Sequence, residues 1–331
     1  MTIRRRLITT ALAGSLLTGQ RLSQAQATER VWRVGVLRPT AAPIAATELV
    51  AEGIPTALRE LGYVEGRNLV IESRWAQGQA ERLPALASEL VQAKVDVIIA
   101  VGAAAVRAAK GATATIPIIL FGNFDPVALR LVASMARPGG NVTGVLMAPD
   151  GTLAGKKLEL IKAAVPAARK IAFLTPPDDH AMRLQVQETR SAAAALGTEL
   201  LVTEVQGSDY GRAFTAIVTQ RPGALFVGAH TSFTRDRQQI IALAAKHHLP
   251  AMYEWREQVE DGGLMAYGAS LYGLYQRIAI YADRIFKGAK PTEMAVERPT
   301  KFELVINLKT AKALGLTIPQ SVLLRVDEVI R

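Results

Sequence analysis

The chain has 331 residues, enough for about two domains; 50% of it is hydrophobic and 21% charged, so it can bury a real core and is not disordered. There is no cysteine, which excludes a disulfide scaffold, thiolate metal sites and a cysteine nucleophile, and the 4 histidines leave little for a histidine-rich metal centre. The net charge of +10 invites a nucleic-acid partner, but without the arginines at positions 4, 5, 6 and 21 the Lys+Arg count falls from 39 to 35 against 29 acids. The remaining bases form no run interleaved with aromatics, so no nucleic acid is expected.

Residues 1–27 read as an address. Arg4-Arg5-Arg6 precede an apolar run from Leu7 to Thr18, and Ala25-Gln26-Ala27 offers a small-residue cleavage site. The run is too short to span a hydrocarbon core of about 30 Å. A cleavable signal is expected, by the general secretory route or the twin-arginine route, with a mature protein in the periplasm.

From there strands and helices alternate. Val31 to Leu37 reads as a strand, Leu49 to Leu61 as a helix stopped by Gly62, Asn68 to Arg74 as a strand and Ala80 to Ala93 as a helix. Val95 to Ala100 and Ile116 to Phe121 are nearly continuous apolar runs, as strands buried on both faces require; Ala103 to Ala112 and Val127 to Ala136 read as helices. Arg137-Pro138-Gly139-Gly140-Asn141 then breaks the pattern. Alternation resumes with strands at Lys170 to Leu174, Glu199 to Val205, Ala224 to Val227 and Pro250 to Tyr253. Helices are expected over Met182 to Leu196, Tyr210 to Gln220 and Arg235 to His248.

Two strand–helix series separated by a glycine and proline break predict an α/β protein of two doubly wound, Rossmann-like lobes. The last third is too small for a third lobe. A strand near Met265, a helix from Leu271 to Lys287, an extended Pro299 to Asn307 and a helix from Leu308 to Leu314 must pack on what already exists. The chain is expected to cross between lobes three times, near Thr143, Met265 and Ala295. Lobe one would comprise residues 31–146 plus 268–292 and lobe two 147–267 plus 293–331, with a ligand cleft between them.

Catalytic motifs are missing. There is no phosphate loop, no glycine-rich dinucleotide fingerprint after the first strand and no nucleophile elbow. Asp178-Asp179-His180 reads as a solvated loop and helix cap, and His247-His248 as a helix end. No metal and no cofactor are expected. Such a chain reads as a binder, and in open α/β sheets ligands sit beyond the carboxyl ends of the strands. The residues there are the candidate ligand contacts: Thr40; Gly102, Ala103 and Ala104, which open a helix whose N–H groups suit an anion; Phe124 and Asp125; Thr175; His230; Tyr253 and Glu254. Asp125 also fits a plain helix cap ahead of Pro126.

Four segments carry a resemblance: Leu61 to Glu72, Arg137 to Gly144, Gly262 to Gly268, and the long Pro299-Thr300-Lys301-Phe302-Glu303-Leu304-Val305-Ile306-Asn307-Leu308 with the residues to Leu316. Together they resemble the ABC-transporter substrate-binding family related to the tryptophan/tyrosine-type periplasmic binding proteins, from about residue 31 to the end. The resemblance implies a type I periplasmic binding fold with three crossovers and no enzymatic activity. It also implies a partner membrane permease and a cytoplasmic ATPase, so the chain is expected to be a monomer that captures a small molecule, such as an amino acid or small carboxylate, and delivers it to that ABC importer. In amino-acid-binding relatives the carboxylate meets backbone N–H groups and hydroxyls and the ammonium meets acids; some relatives carry an acid where this chain has His230. The rival expectations are a sensor that shows its closed form to a membrane receptor, and an exported α/β hydrolase or lyase.

Overall fold

Successive residues of a strand face opposite sides of its sheet, so a strand that is apolar at every position needs a core on each side. In the computed structural model, which describes residues 30–42, 49–148, 153–176 and 180–331, β3 (Val97–Val101) meets that need. Val97, Ile99 and Val101 enter one apolar cluster and Ile98 and Ala100 another, all at most 6% exposed. Around β3 lie β1 (Trp32–Arg38), β2 (Leu69–Trp75), β4 (Ile118–Gly122) and β5 (Val142–Leu146), all parallel, in the order β2-β1-β3-β4-β5. Helix α1 (Leu49–Glu60) covers one face through Ile54, Ala57 and Leu58; α2 (Leu83–Gln92) and α3 (Ala103–Ala112) cover the other. Each fully buried leucine or isoleucine here contributes about 1.5–3 kcal/mol.

The second sheet repeats the plan. It holds β6 (Lys170–Thr175), β7 (Glu199–Glu204), β8 (Ala224–Val227), β9 (Ala251–Tyr253), β10 (Met265–Gly268), β11 (Glu303–Asn307) and β12 (Glu328–Ile330), in the order β12-β11-β10-β9-β8-β6-β7. Its first five strands in sequence are parallel and wound like those of the first sheet; β11 joins antiparallel to β10. Helices α4 (Leu153–Ala164) and α5 (His180–Ala195) share one buried cluster, and α6 (Tyr210–Thr219) and α8 (Arg237–Lys246) the other; α7 (Thr231–Arg235) and α9 (Arg256–Glu260) are short. Phe173 and Phe226 meet edge to face at 4.9 Å in the middle of the sheet.

The chain leaves the first sheet after β5, returns after β10 as α10 (Leu271–Phe286), and leaves again before β11; α11 (Leu308–Ala313) and α12 (Gln320–Leu323) close the second lobe. Leu271, Leu274, Tyr275 and Ile278 of α10 are buried in the core of the first sheet. The final departure comes later than residue 293. Met294 and Val296 are buried in the first-lobe cores, and Glu297 bridges to β5 through its N–H on the Gly144 carbonyl (2.9 Å) and its carbonyl on the Leu146 N–H (2.8 Å). Thr143 and Met265 lie in the strands from which the chain crosses, β5 ending at Leu146 and β10 at Gly268.

Two expected helices differ. Residues 127–136 form turns and bends: Arg130 has φ of 55°, which no helix accommodates, and the Lys110 ammonium donates to the carbonyls of Arg130 and Leu131 at 3.0 and 2.9 Å. The helix expected from Arg235 to His248 is α8, two residues shorter at each end, and the short α7 precedes it, parted from it at Asp236, whose carboxylate takes the Arg235 guanidinium and the Tyr210 hydroxyl. Helix α4 is additional to the helices expected from the sequence; its apolar face of Ala154, Leu158, Ile161 and Ala164 packs into the second-lobe core. The leader of residues 1–27 and Asp178-Asp179 lie outside the described residues. Among the described residues no helix is long and apolar enough to cross a membrane.

Candidate functional site

In a doubly wound sheet the crevice opens where the strand order reverses, beyond the carboxyl ends of the two strands that flank the reversal. Here those pairs are β1 and β3 in the first sheet and β6 and β8 in the second. Their loops line one cavity of about 1650 Å³, together with loops after β4 and β9 and the segment after β5. Its walls are mixed, with Phe124, Leu129 and Met147 against Met182 and Leu184 across the cleft, and a few polar groups among them.

Eight of the ten candidate residues line this cavity. Thr40 is half-buried on the loop after β1, where its carbonyl accepts from the Gln77 N–H at 3.1 Å. Gly102 stands at the N-cap of α3 with φ of 85°, a conformation that favours glycine, and lets the helix start at once after β3. Ala103 and Ala104 follow, and the N–H groups of this first turn have no acceptor within the helix. Phe124 is partly buried against the first-lobe core.

Asp125 is exposed, and its Oδ1 accepts from the Val127 and Ala128 N–H groups at 2.8 and 3.0 Å. It is a turn cap that happens to face the cleft. Asp125→Ala is expected to cost about 0.5–2 kcal/mol of stability while leaving ligand affinity nearly unchanged. Urea unfolding and titration calorimetry on the one variant check both halves, and a loss of affinity at unchanged stability would reverse the assignment.

His230 caps α7 from the second lobe. Its Nδ1 lies 2.7 Å from Ser232 Oγ and accepts from the Ser232 N–H at 3.2 Å, and its ring meets Phe233 edge to face at 5.9 Å. Glu254 is 4% exposed and forms a buried ion pair with Lys157 of α4. The Gln258 carboxamide oxygen accepts from the N–H groups of Glu254 and Trp255, fixing the loop.

Thr175 and Tyr253 do not line the cavity. Thr175 is 3% exposed and donates its hydroxyl to the Pro176 carbonyl at 3.1 Å; its neighbour Pro176 faces the cleft instead. Tyr253 is 1% exposed inside the second-lobe core, where burial pushes its phenol well above the usual range. Strand alternation turns Tyr253 inward and Glu254 outward.

The cavity has residues that the loops after strands did not suggest. Gln185 and Glu188 come from one face of α5; Gln185 exchanges hydrogen bonds with the Ala229 backbone (3.2 and 3.0 Å) and so ties α5 to the His230 loop. Trp255 follows a second-lobe strand but belongs to a first-lobe core cluster, and its Nε1 donates to Thr234 Oγ1 at 3.2 Å. Beneath the floor lies Arg38, 4% exposed, over the Trp75 ring at 4.6 Å; burial brings its guanidinium down to about 10, still a cation at neutral pH. Among the described residues no group of His, Cys, Asp or Glu is placed to hold a metal ion.

The chain matches the family described as ABC transporter substrate binding protein over residues 34–330. A curated relative, the tyrosine-binding protein of Clostridioides difficile (strain R20291), is 27% identical over 266 residues, which span 80% of this chain and 76% of the relative. Among solved structures, a conserved domain protein from Vibrio cholerae superposes with a TM-score of 0.78 at 26% identity, covering 91% of this chain and all 100% of that one. The ABC domain from Streptococcus pneumonia in complex with L-Trp gives 0.74 at 27% identity, covering 90% and 100%.

Proposed function

The chain belongs to the ABC transporter substrate-binding protein family, and we propose that it captures an aromatic amino acid, or a closely related small carboxylate, between its lobes in the periplasm. It delivers that molecule to a membrane permease powered by a cytoplasmic ATPase, and residues 1–27 are the signal that exports it. The observation that carries the reading is one cavity lined by loops from both reversal points, so a molecule seated there touches both lobes. Contacts from both lobes give the closed form its differential affinity, and trapping needs nothing else.

The nature of the ligand is supported by two features and two relatives. The first turn of α3, at Gly102 to Ala104, offers N–H groups and the positive end of a helix to a carboxylate. Phe124, Leu129, Met147, Met182 and Leu184 give an aromatic side chain apolar walls on two sides. The Clostridioides relative is named for tyrosine and the Streptococcus structure holds L-Trp. Thr40 and His230 supply hydroxyl and imidazole contacts at the rim.

Thermal-shift titration with L-tyrosine, L-tryptophan and amino acids of other kinds tests this. At 100 times its Kd a ligand adds about 2.7 kcal/mol to stability, an unmistakable rise in Tm. A rise with aromatic amino acids is expected; a rise only with sugars or aliphatic amino acids would overturn the ligand class. Ala104→Asp sharpens the test. An acid at this exposed position suits the helix N-terminus, so the free protein should lose no stability. The ligand carboxylate, however, should be repelled, with affinity lost by about tenfold or more.

A further inference from the structure

We propose that Glu188 receives the cationic group of the bound molecule, so that a zwitterionic ligand is held by its negative end from the first lobe and by its positive end from the second. The proposal rests on the aromatic amino-acid reading of the cleft and assigns a residue that the loops after strands do not contain.

Among the described residues three acids line the cavity: Asp125, Glu188 and Glu254. Asp125 spends Oδ1 on two backbone N–H groups of its own turn. Glu254 is bound to the buried ammonium of Lys157, so its charge is already balanced. Glu188 is different. Its Oε2 is buried and, among the described residues, has no hydrogen-bond partner. Burial holds its carboxyl above the usual carboxylate range. A buried acceptor without a donor is a standing cost of the free protein; a donor that arrives with the ligand removes it.

The mounting supports that role. Gln185, three residues earlier on the same helix face, is fixed in both directions to the Ala229 backbone, so Glu188 projects from an anchored turn of α5. Among the described residues the lysine and arginine side chains that line the same cavity are Arg235, already held by Asp236, and Arg107 on α3 of the opposite lobe. Arg107 defines the rival account, in which Glu188 latches the lobes together through an ion pair and never meets the ligand.

Titration calorimetry of the wild type, Glu188→Gln and Arg107→Gln separates these accounts. The probes are L-tyrosine and L-tryptophan, each against its deaminated analogue, hydroxyphenylpropanoate or indolepropanoate. Glu188→Gln should weaken the amino acids by about 10- to 100-fold, the range for a hydrogen bond to a charged group, and leave the deaminated analogues unchanged. Arg107→Gln should leave the preference for the amine intact. If Glu188→Gln weakens both kinds of probe equally, or neither, the assignment fails while the aromatic reading of the cleft stands. A wild type that binds none of the four probes overturns that reading and the assignment with it. Should Glu188→Gln unfold, Glu188→Asp keeps the charge but withdraws it by one methylene, and should lose part of the preference for the amine; a full preference would overturn the assignment.

Discussion

Lys157→Met should cost about 3–5 kcal/mol of folding stability, the penalty for leaving one member of a buried ion pair uncompensated. Lys157 and Glu254 are 3% and 4% exposed, one on α4 and the other on the loop after β9. Methionine matches the volume of the lysine stem, so the loss reports the stranded carboxylate and not a cavity. The double variant Lys157→Met with Glu254→Gln removes both charges and should recover most of the loss, because replacing a buried pair by neutral groups is often close to neutral. Glu254 also has its backbone held by Gln258, so the loop has a second anchor when the charge is gone. Urea unfolding of the wild type and the two variants is the measurement. A loss under about 1 kcal/mol in the single variant would mean that water reaches the pair and that it behaves like a surface salt bridge.

The same pair shows how far the sequence reaches. Glu254 was legible as a cleft residue because it follows an apolar strand run, and the carboxyl ends of parallel strands are where such folds bind ligands. Its partner was not, because Lys157 is a charged residue on the buried face of α4, and nothing in the order of residues places position 157 beside position 254. The sheets were legible for a simpler reason: the run from Val97 to Val101 has no polar residue, and only a doubly covered strand tolerates that.

Where a strand ends, reading by position fails by one residue. Thr175 and Tyr253 are the last residues of β6 and β9 and point into the core, whereas Pro176 and Glu254 face the cleft. Gln185, Glu188 and Trp255 escaped because they reach the cavity from a helix face and from a loop buried between lobes. The turns over residues 127–136 were hidden for a third reason. Their composition suits a helix, and neither the left-handed backbone at Arg130 nor the tertiary contact of the Lys110 ammonium with the carbonyls there shows in it.

Gly144→Ala should destabilise the protein by about 4 kcal/mol or more. Gly144 sits in β5 with φ of 144°, and it pairs in register with Leu120 of β4. A Cβ there would stand 2.3 Å from the Leu120 carbonyl oxygen and 2.6 Å from its nitrogen. Both are backbone atoms of a central strand, so no side chain can swing aside, and the backbone conformation is itself one that alanine resists. On its other edge β5 carries the returning chain: the Gly144 carbonyl accepts from the Glu297 N–H at 2.9 Å, and Thr143 Oγ1 donates to the Met294 carbonyl at 2.6 Å. Moving β5 off β4 therefore disturbs the segments that lead into two of the three crossovers, and ligand affinity should fall along with stability. Gly140→Ala is the control four residues away. That position is exposed, has no left-handed backbone and no atom within 4 Å of an added Cβ, so its change should stay within about 0.5 kcal/mol of zero. Guanidinium unfolding of the pair decides the matter: a Gly144→Ala protein within about 1 kcal/mol of the wild type would show that β5 has room to shift and that the crossovers are not anchored through it.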